Sequence, residues 1–156
     1  MATSDDLLAR AFALAVEARE AGDHPFGALL AVDGGIVAEA RNRVTSAHDI
    51  TAHAETELVR VLERDGRLTA LVGGTVYASC EPCPQCVGAL FWAGARHIVF
   101  GLSAARLNEI STAPGSAPYG FTISAAELAS ATTRPMRVEG PAREDEAATA
   151  HDGFWH

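Results

Sequence analysis

Apolar residues recur at helical spacing near the start of the chain, where Leu7, Leu8, Ala11, Leu14, Ala15 and Ala18 fall on one face of residues 5 to 21. Thr3 or Ser4 is placed to cap that helix and Gly22 to end it. The pattern then changes. The runs GALLAV (27 to 32) and IVAEA (36 to 40) are joined by Asp33-Gly34-Gly35, whose turn chemistry predicts a hairpin of two antiparallel strands. From 51 to 63 helical spacing returns at Leu58, Val59 and Leu62, with Thr51 available as cap and His53 and Glu55 in the first turn. A strand at 75 to 79, a helix from about Cys83 to Trp92 and a strand at 97 to 101 follow. Strands alternating with helices predict a βαβ unit, hence a partly parallel sheet covered by helices. In the last third, residues 110 to 121 read as a loop, Ser124 and Glu127 form a capping-box signal for a short helix, and 136 to 138 suit a final strand. Residues 143 to 156 suit an acidic helix broken at Gly153 and followed by two aromatics.

Length and composition bound this picture. A chain of 156 residues with 48% hydrophobic content can fill one core, so a single domain over 1 to 156 is expected, with 140 to 156 as a tail. No window reaches the roughly 18 apolar residues of a membrane span. The start, MATSDDLLAR, carries acids where a secretory leader has positive charge, so a cytoplasmic protein is expected. The formal net charge of -8 has the wrong sign for neutralising phosphates, which disfavours a nucleic-acid partner.

Three cysteines cannot all pair within one chain, and Cys83 and Cys86 lie three positions apart. On a helix that spacing presents both sulfurs to one point, while Pro84 suits the first turn and the helix N-terminus favours thiolates. Read alone, the pair fits a redox couple, a structural zinc site closed by a fourth ligand such as Cys80, or a catalytic metal. His53 shifts the balance: it would complete a His/Cys/Cys set whose fourth position stays open to water, as in catalytic zinc sites. Glu55 is different, because two residues along an ideal helix turn a side chain by about 200°, so periodicity alone does not bring it to the metal.

His53-Ala54-Glu55 followed by Pro82-Cys83-Pro84-Gln85-Cys86 resembles the signature of the cytidine deaminase-like superfamily of zinc-dependent nucleobase deaminases. The likeness runs from roughly Leu7 to Leu102, through HPFGALLAVDG (24 to 34), Asn42, TAHAE (51 to 55) and YASCEPCPQC (77 to 86). It is most like the branch containing bacterial guanine deaminases and tRNA adenosine deaminases. The resemblance implies an α/β fold, a three-layer α/β/α sandwich around a five-strand mixed sheet, assembled as a homodimer or larger homo-oligomer. It implies Zn2+ held by His53, Cys83 and Cys86, with Glu55 as proton shuttle. By the same carry-over Asn42 would hydrogen-bond the base, the Ala54 backbone N–H would face the attacked carbon, Phe26 and Trp92 would form walls, and Glu81 would orient substrate or support the zinc loop. Cys80 and the remaining histidines, His24, His48, His97, His151 and His156, take no ligand role. Phe154 and Trp155 are expected to close over the base pocket, of their own chain or of a neighbouring subunit, since two exposed aromatics at a chain end are costly unless they dock.

The implied activity is hydrolytic deamination of a free nucleobase or related aminated heterocycle, with release of ammonia and with guanine as first choice. Guanine deaminases of this branch carry an acidic residue where this chain has Ile110 to Pro114, which has none; cytosine- or aminotriazine-type substrates follow as alternatives. A tRNA adenosine deaminase comes next, opposed by the acidic composition. A structural zinc module is the non-enzyme alternative, and it would not need Glu55.

Overall fold

The structure, a computed structural model, describes residues 1–156. Helix α1 (Ser4–Glu20) starts at Thr3, whose hydroxyl accepts from the Asp6 amide while the Asp6 carboxylate accepts from the Thr3 amide. Strands β1 (Gly27–Val32) and β2 (Gly35–Arg41) are joined through Asp33 and Gly34 at φ 49° and 76°, the two positive values a two-residue hairpin turn needs. Helix α2 (Ala54–Arg64), the short α3 (Ala70–Gly73) and strand β3 (Thr75–Cys80) follow. Then come α4 (Pro84–Ala93), β4 (His97–Leu102), α5 (Ala104–Ser111), α6 (Ala125–Ser130), β5 (Arg137–Glu139), α7 (Glu144–Ala148) and a 3-10 turn at Thr149–His151.

The five strands form one mixed sheet in the order β2-β1-β3-β4-β5. β1 is antiparallel to β2 and β3, whereas β3, β4 and β5 run parallel. Alternation along each strand divides the apolar residues between two cores. Leu30, Val76 and Ile98 face α2, α4 and α6, packing with Leu58, Leu62, Leu90 and Ala129. Leu29, Tyr77 and Val99 face the opposite way, onto Leu8, Phe12 and Leu14 of α1 and Ala147 of α7. The result is the three-layer α/β/α sandwich. Close approach of α1 to the sheet depends on Gly27, where a Cβ would lie 2.4 Å from the Leu14 Cβ and 2.6 Å from the Ala11 carbonyl oxygen. None of the helices is long and apolar enough to cross a membrane.

Two features depart from the sequence-based expectation. Helix α2 begins at Ala54 rather than near Thr51, so His53 is its N-cap residue, in extended conformation at φ -71° and ψ 162°. The Thr56 hydroxyl fixes that start by donating to the Thr51 and His53 carbonyls at 2.5 and 3.1 Å. Helix α5 was not expected at all. It is capped by Ser103, whose hydroxyl accepts from the Arg106 amide, and it packs by only Leu107 and Ile110, too thin an apolar stripe to register as a period.

Candidate active site

Two helix N-termini converge on one point. His53 caps α2 and Cys83 caps α4, with Pro84 at the first position of α4. Cys86 follows one turn later, so its sulfur stands 3.7 Å from that of Cys83. His53 Nδ1 lies 3.5 Å from each sulfur. Zinc bonds of about 2.3 Å to sulfur and about 2.05 Å to nitrogen, set tetrahedrally, require edges of about 3.8 Å between sulfurs and about 3.6 Å between sulfur and nitrogen. The triangle in the protein therefore has the size a tetrahedral zinc would impose on three of its corners. His53, Cys83 and Cys86 can hold a metal ion as a set, and Cys80 stands outside it.

Electrostatics suit the same use. The Cys83 thiol is held down to about 4, first by the hydrogen bond with Cys86 and then by His53, and the pair raises the Cys86 thiol in turn. His53 is raised by its hydrogen bond to Cys83. The partial positive charge at the start of α4 favours the thiolate forms of Cys83 at the cap and of Cys86 in the first turn.

Glu55 comes to this site because His53 is not part of the helix. The 200° separation expected of two positions on one helix lapses once the first of them has extended backbone. Glu55 is buried, lies beside the Cys86 thiol, and has its carboxyl held above the ordinary carboxylate range chiefly by that burial.

A cavity of about 340 Å³ opens above the triad, lined by His53, Glu55, Cys80 and Cys83 on its floor and by His24, Phe26, Asn42, Glu81, Leu107 and Tyr119 on its walls. Buried Asn42 uses its side-chain oxygen to accept from the Val44 amide at 3.0 Å, which leaves the Nδ2 donor for the cavity's contents. Ala54 is the first residue of α2, so its amide is one of the first-turn donors a helix cannot satisfy internally.

Four of the expected residues stand apart from the base-contacting part of this chain's cavity. Glu81 reaches the cavity wall, but both its oxygens are taken: one accepts from the Ala104 amide at 3.2 Å and the other from the Ala125 amide at 2.9 Å. It clamps the first residues of α5 and α6. Trp92 is 84% exposed and borders a surface groove with Val72, Phe91 and Arg96. α4 buries Cys86, Val87 and Leu90, and two residues beyond Leu90 the helix faces outward. Within this chain Phe154 and Trp155 pack against His24 and Phe26 and do not line the cavity themselves. The tail is tied there by Arg19, which donates to the Ala150 and Asp152 carbonyls, and by His156, which donates to the Ile110 carbonyl at 3.2 Å.

His24, Leu107 and Tyr119 are cavity residues that sequence reasoning missed. For His24 a signal existed, since it directly precedes the Pro25-Phe26-Gly27 stretch quoted for the resemblance. Leu107 and Tyr119 carried none: one sits on the unforeseen α5 and the other on a segment with no periodicity.

Comparison with known proteins agrees with this geometry. The sequence model of the cytidine and deoxycytidylate deaminase zinc-binding region matches residues 1–102. A probable cytosine deaminase of Schizosaccharomyces pombe is 38% identical over 149 residues, covering 95% of this chain and 90% of that protein. The guanine deaminase of Bacillus subtilis is 41% identical over 97 residues, 62% of each chain. Among solved structures, a tRNA:A34 deaminase superposes with a TM-score of 0.71 at 28% identity, over 92% of this chain and 97% of that one.

Proposed function

Because the chain belongs to the cytidine and deoxycytidylate deaminase family, we propose that it is a zinc-dependent hydrolase removing the exocyclic amine of a free nucleobase, cytosine ahead of guanine. The observation that carries the choice is the reach of the likeness: it runs over 149 residues, 95% of this chain, to the probable cytosine deaminase and over 97 to the guanine deaminase. The cavity supports it. With both Glu81 oxygens engaged and no acid between Ile110 and Pro114, Glu55 is the one carboxylate available to a bound base. Guanine is the second reading, on the 41% identity of that shorter match. The net charge of -8 speaks against a tRNA substrate.

A zinc ion held by His53, Cys83 and Cys86 supplies Lewis acidity and a water nucleophile at neutral pH. Glu55 is placed to take a proton from the attacking water and give it to the ring nitrogen beside the amine-bearing carbon, then to take the remaining proton of the newly added hydroxyl and give it to the departing amine. A C–O bond forms, a C–N bond breaks, water is consumed and ammonia leaves, with no change of oxidation state. Asn42 holds the ring through its Nδ2 donor, Phe26 bounds one face of it, and the Ala54 amide serves the polar edge at the start of α2.

Ammonia release from cytosine, guanine, adenine, an aminotriazine and unmodified tRNA tests the reading. Cytosine turned over with kcat/KM at least about tenfold above guanine agrees with it. Guanine preferred reverses the order, and inosine in tRNA with free bases untouched overturns the proposal.

A further inference from the structure

His24 has no part in the reaction just described, yet it lines the same cavity as Asn42 and Phe26. Its backbone is pinned on both sides. The Asp23 amide donates to the Ala18 carbonyl at the end of α1, and the buried Asp23 carboxylate accepts from the amide and hydroxyl of Ser46 at 2.8 Å each. On the other side stands Pro25, with the Phe26 amide donating back to the His24 carbonyl at 2.8 Å. Its ring is gripped in turn. Phe154 meets it edge-on at 5.9 Å between centroids, and Trp155 lies tilted at 5.6 Å. Trp155 is itself fixed, donating from Nε1 to His151 Nδ1 at 3.1 Å, while His151 packs on Phe26.

So much structure immobilises a side chain whose ring nitrogens take part in no hydrogen bond within the protein. Burial lowers the affinity of His24 for a proton, so the ring enters the cavity as a neutral imidazole with one donor nitrogen and one acceptor. A rigid, prepaid hydrogen-bonding group in a small cavity is how a site tells apart ligands that differ by one polar atom.

We propose that His24 is a specificity-determining residue: held by Phe154 and Trp155, its ring donates to the carbonyl oxygen of the bound heterocycle and selects oxo-substituted aminoheterocycles over analogues lacking that oxygen. Trp155 acts through His24 as a positioning residue. The proposal rests on the base-deaminase reading above and deepens it, since it assigns the part of the ring that the triad, Glu55 and Asn42 leave unread by the chain's other walls.

The test compares cytosine with 4-aminopyrimidine, which keeps the amidine and lacks the oxygen, and guanine with 2-aminopurine, which differ in the same way. Whichever pair the wild-type protein turns over, kcat/KM should favour the oxo member. His24→Leu should shrink that preference by about tenfold, carried in KM, with zinc content retained. His24→Gln, which keeps a donor, should recover most of it. Trp155→Leu should raise KM for the oxo member and add little on top of His24→Leu, because both act through one ring. An undiminished preference in His24→Leu overturns the proposal. Should that variant not fold, the ring nitrogen resonances of His24 in the wild-type protein decide: they should move on addition of uracil, and their failure to move overturns it equally. Turnover of neither pair by the wild-type protein defeats the base-deaminase reading itself, and this proposal with it.

Discussion

His53 and Cys83 occupy the same position in two different helices: each is an N-cap residue, with φ -71° and ψ 162° in one and φ -71° and ψ 168° in the other. Neither side chain caps its own helix by a hydrogen bond, so both are left to point at a common centre between the two N-termini. The third corner, Cys86, is the only one set by helical periodicity. Elemental analysis should therefore find about one zinc per chain. Cys83→Ser or His53→Ala should lose it along with deaminase activity, and full zinc in Cys83→Ser would refute the assignment.

Glu55 lies on the cavity floor and belongs to no metal-binding group. Glu55→Gln should keep zinc and thermal stability while losing at least about 10² in kcat. Turnover within a few-fold of wild type would remove it from the reaction.

The Glu81 carboxylate joins the first residues of α5 and α6, which flank the cavity's outer wall. Removing two charge-assisted bonds to backbone amides in Glu81→Ala should destabilise the fold by about 2–3 kcal/mol, a melting shift of several degrees, with zinc retained. An unchanged melting temperature together with a loss of substrate affinity would return Glu81 to a substrate-reading role.

His151 is buried and its pKa is lowered to about 4, first by desolvation and then by Arg19. Below its ordinary value near 6.5 the unfolded chain takes up a proton that the folded chain refuses, so stability falls as pH drops from about 6.5 to about 4 and is independent of this group above that window. The complete span amounts to roughly 3 kcal/mol. Denaturant titrations at pH 7, 5.5 and 4.5 should show this slope flattened in His151→Gln, which keeps an acceptor for the Trp155 indole.

What could be read from the sequence follows from how local each signal is. The hairpin turn at Asp33 and Gly34, the Thr3 cap and the Cys83–Cys86 spacing are decided within a few residues, and each was legible. Glu55 was legible only through the resemblance and not from periodicity, because its position depends on where α2 begins, and that start is set by Thr56 reaching back to the Thr51 and His53 carbonyls. His24 and Tyr119 meet only when the fold closes, being 95 positions apart. The exposure of Trp92 within this chain follows from the rotation of α4 past Leu90.

The chain carries two tryptophans, and the fold puts them in opposite surroundings. Trp92 stands in solvent, whereas the Trp155 indole is half-buried, stacked on His151 and tilted against His24. Their emission should differ accordingly, the first red-shifted and open to aqueous quenchers, the second shielded. Replacing Trp92 by Phe would leave a single fluorophore on the far side of the cavity wall, so that a base entering the cavity becomes visible as light without any label or coupled assay.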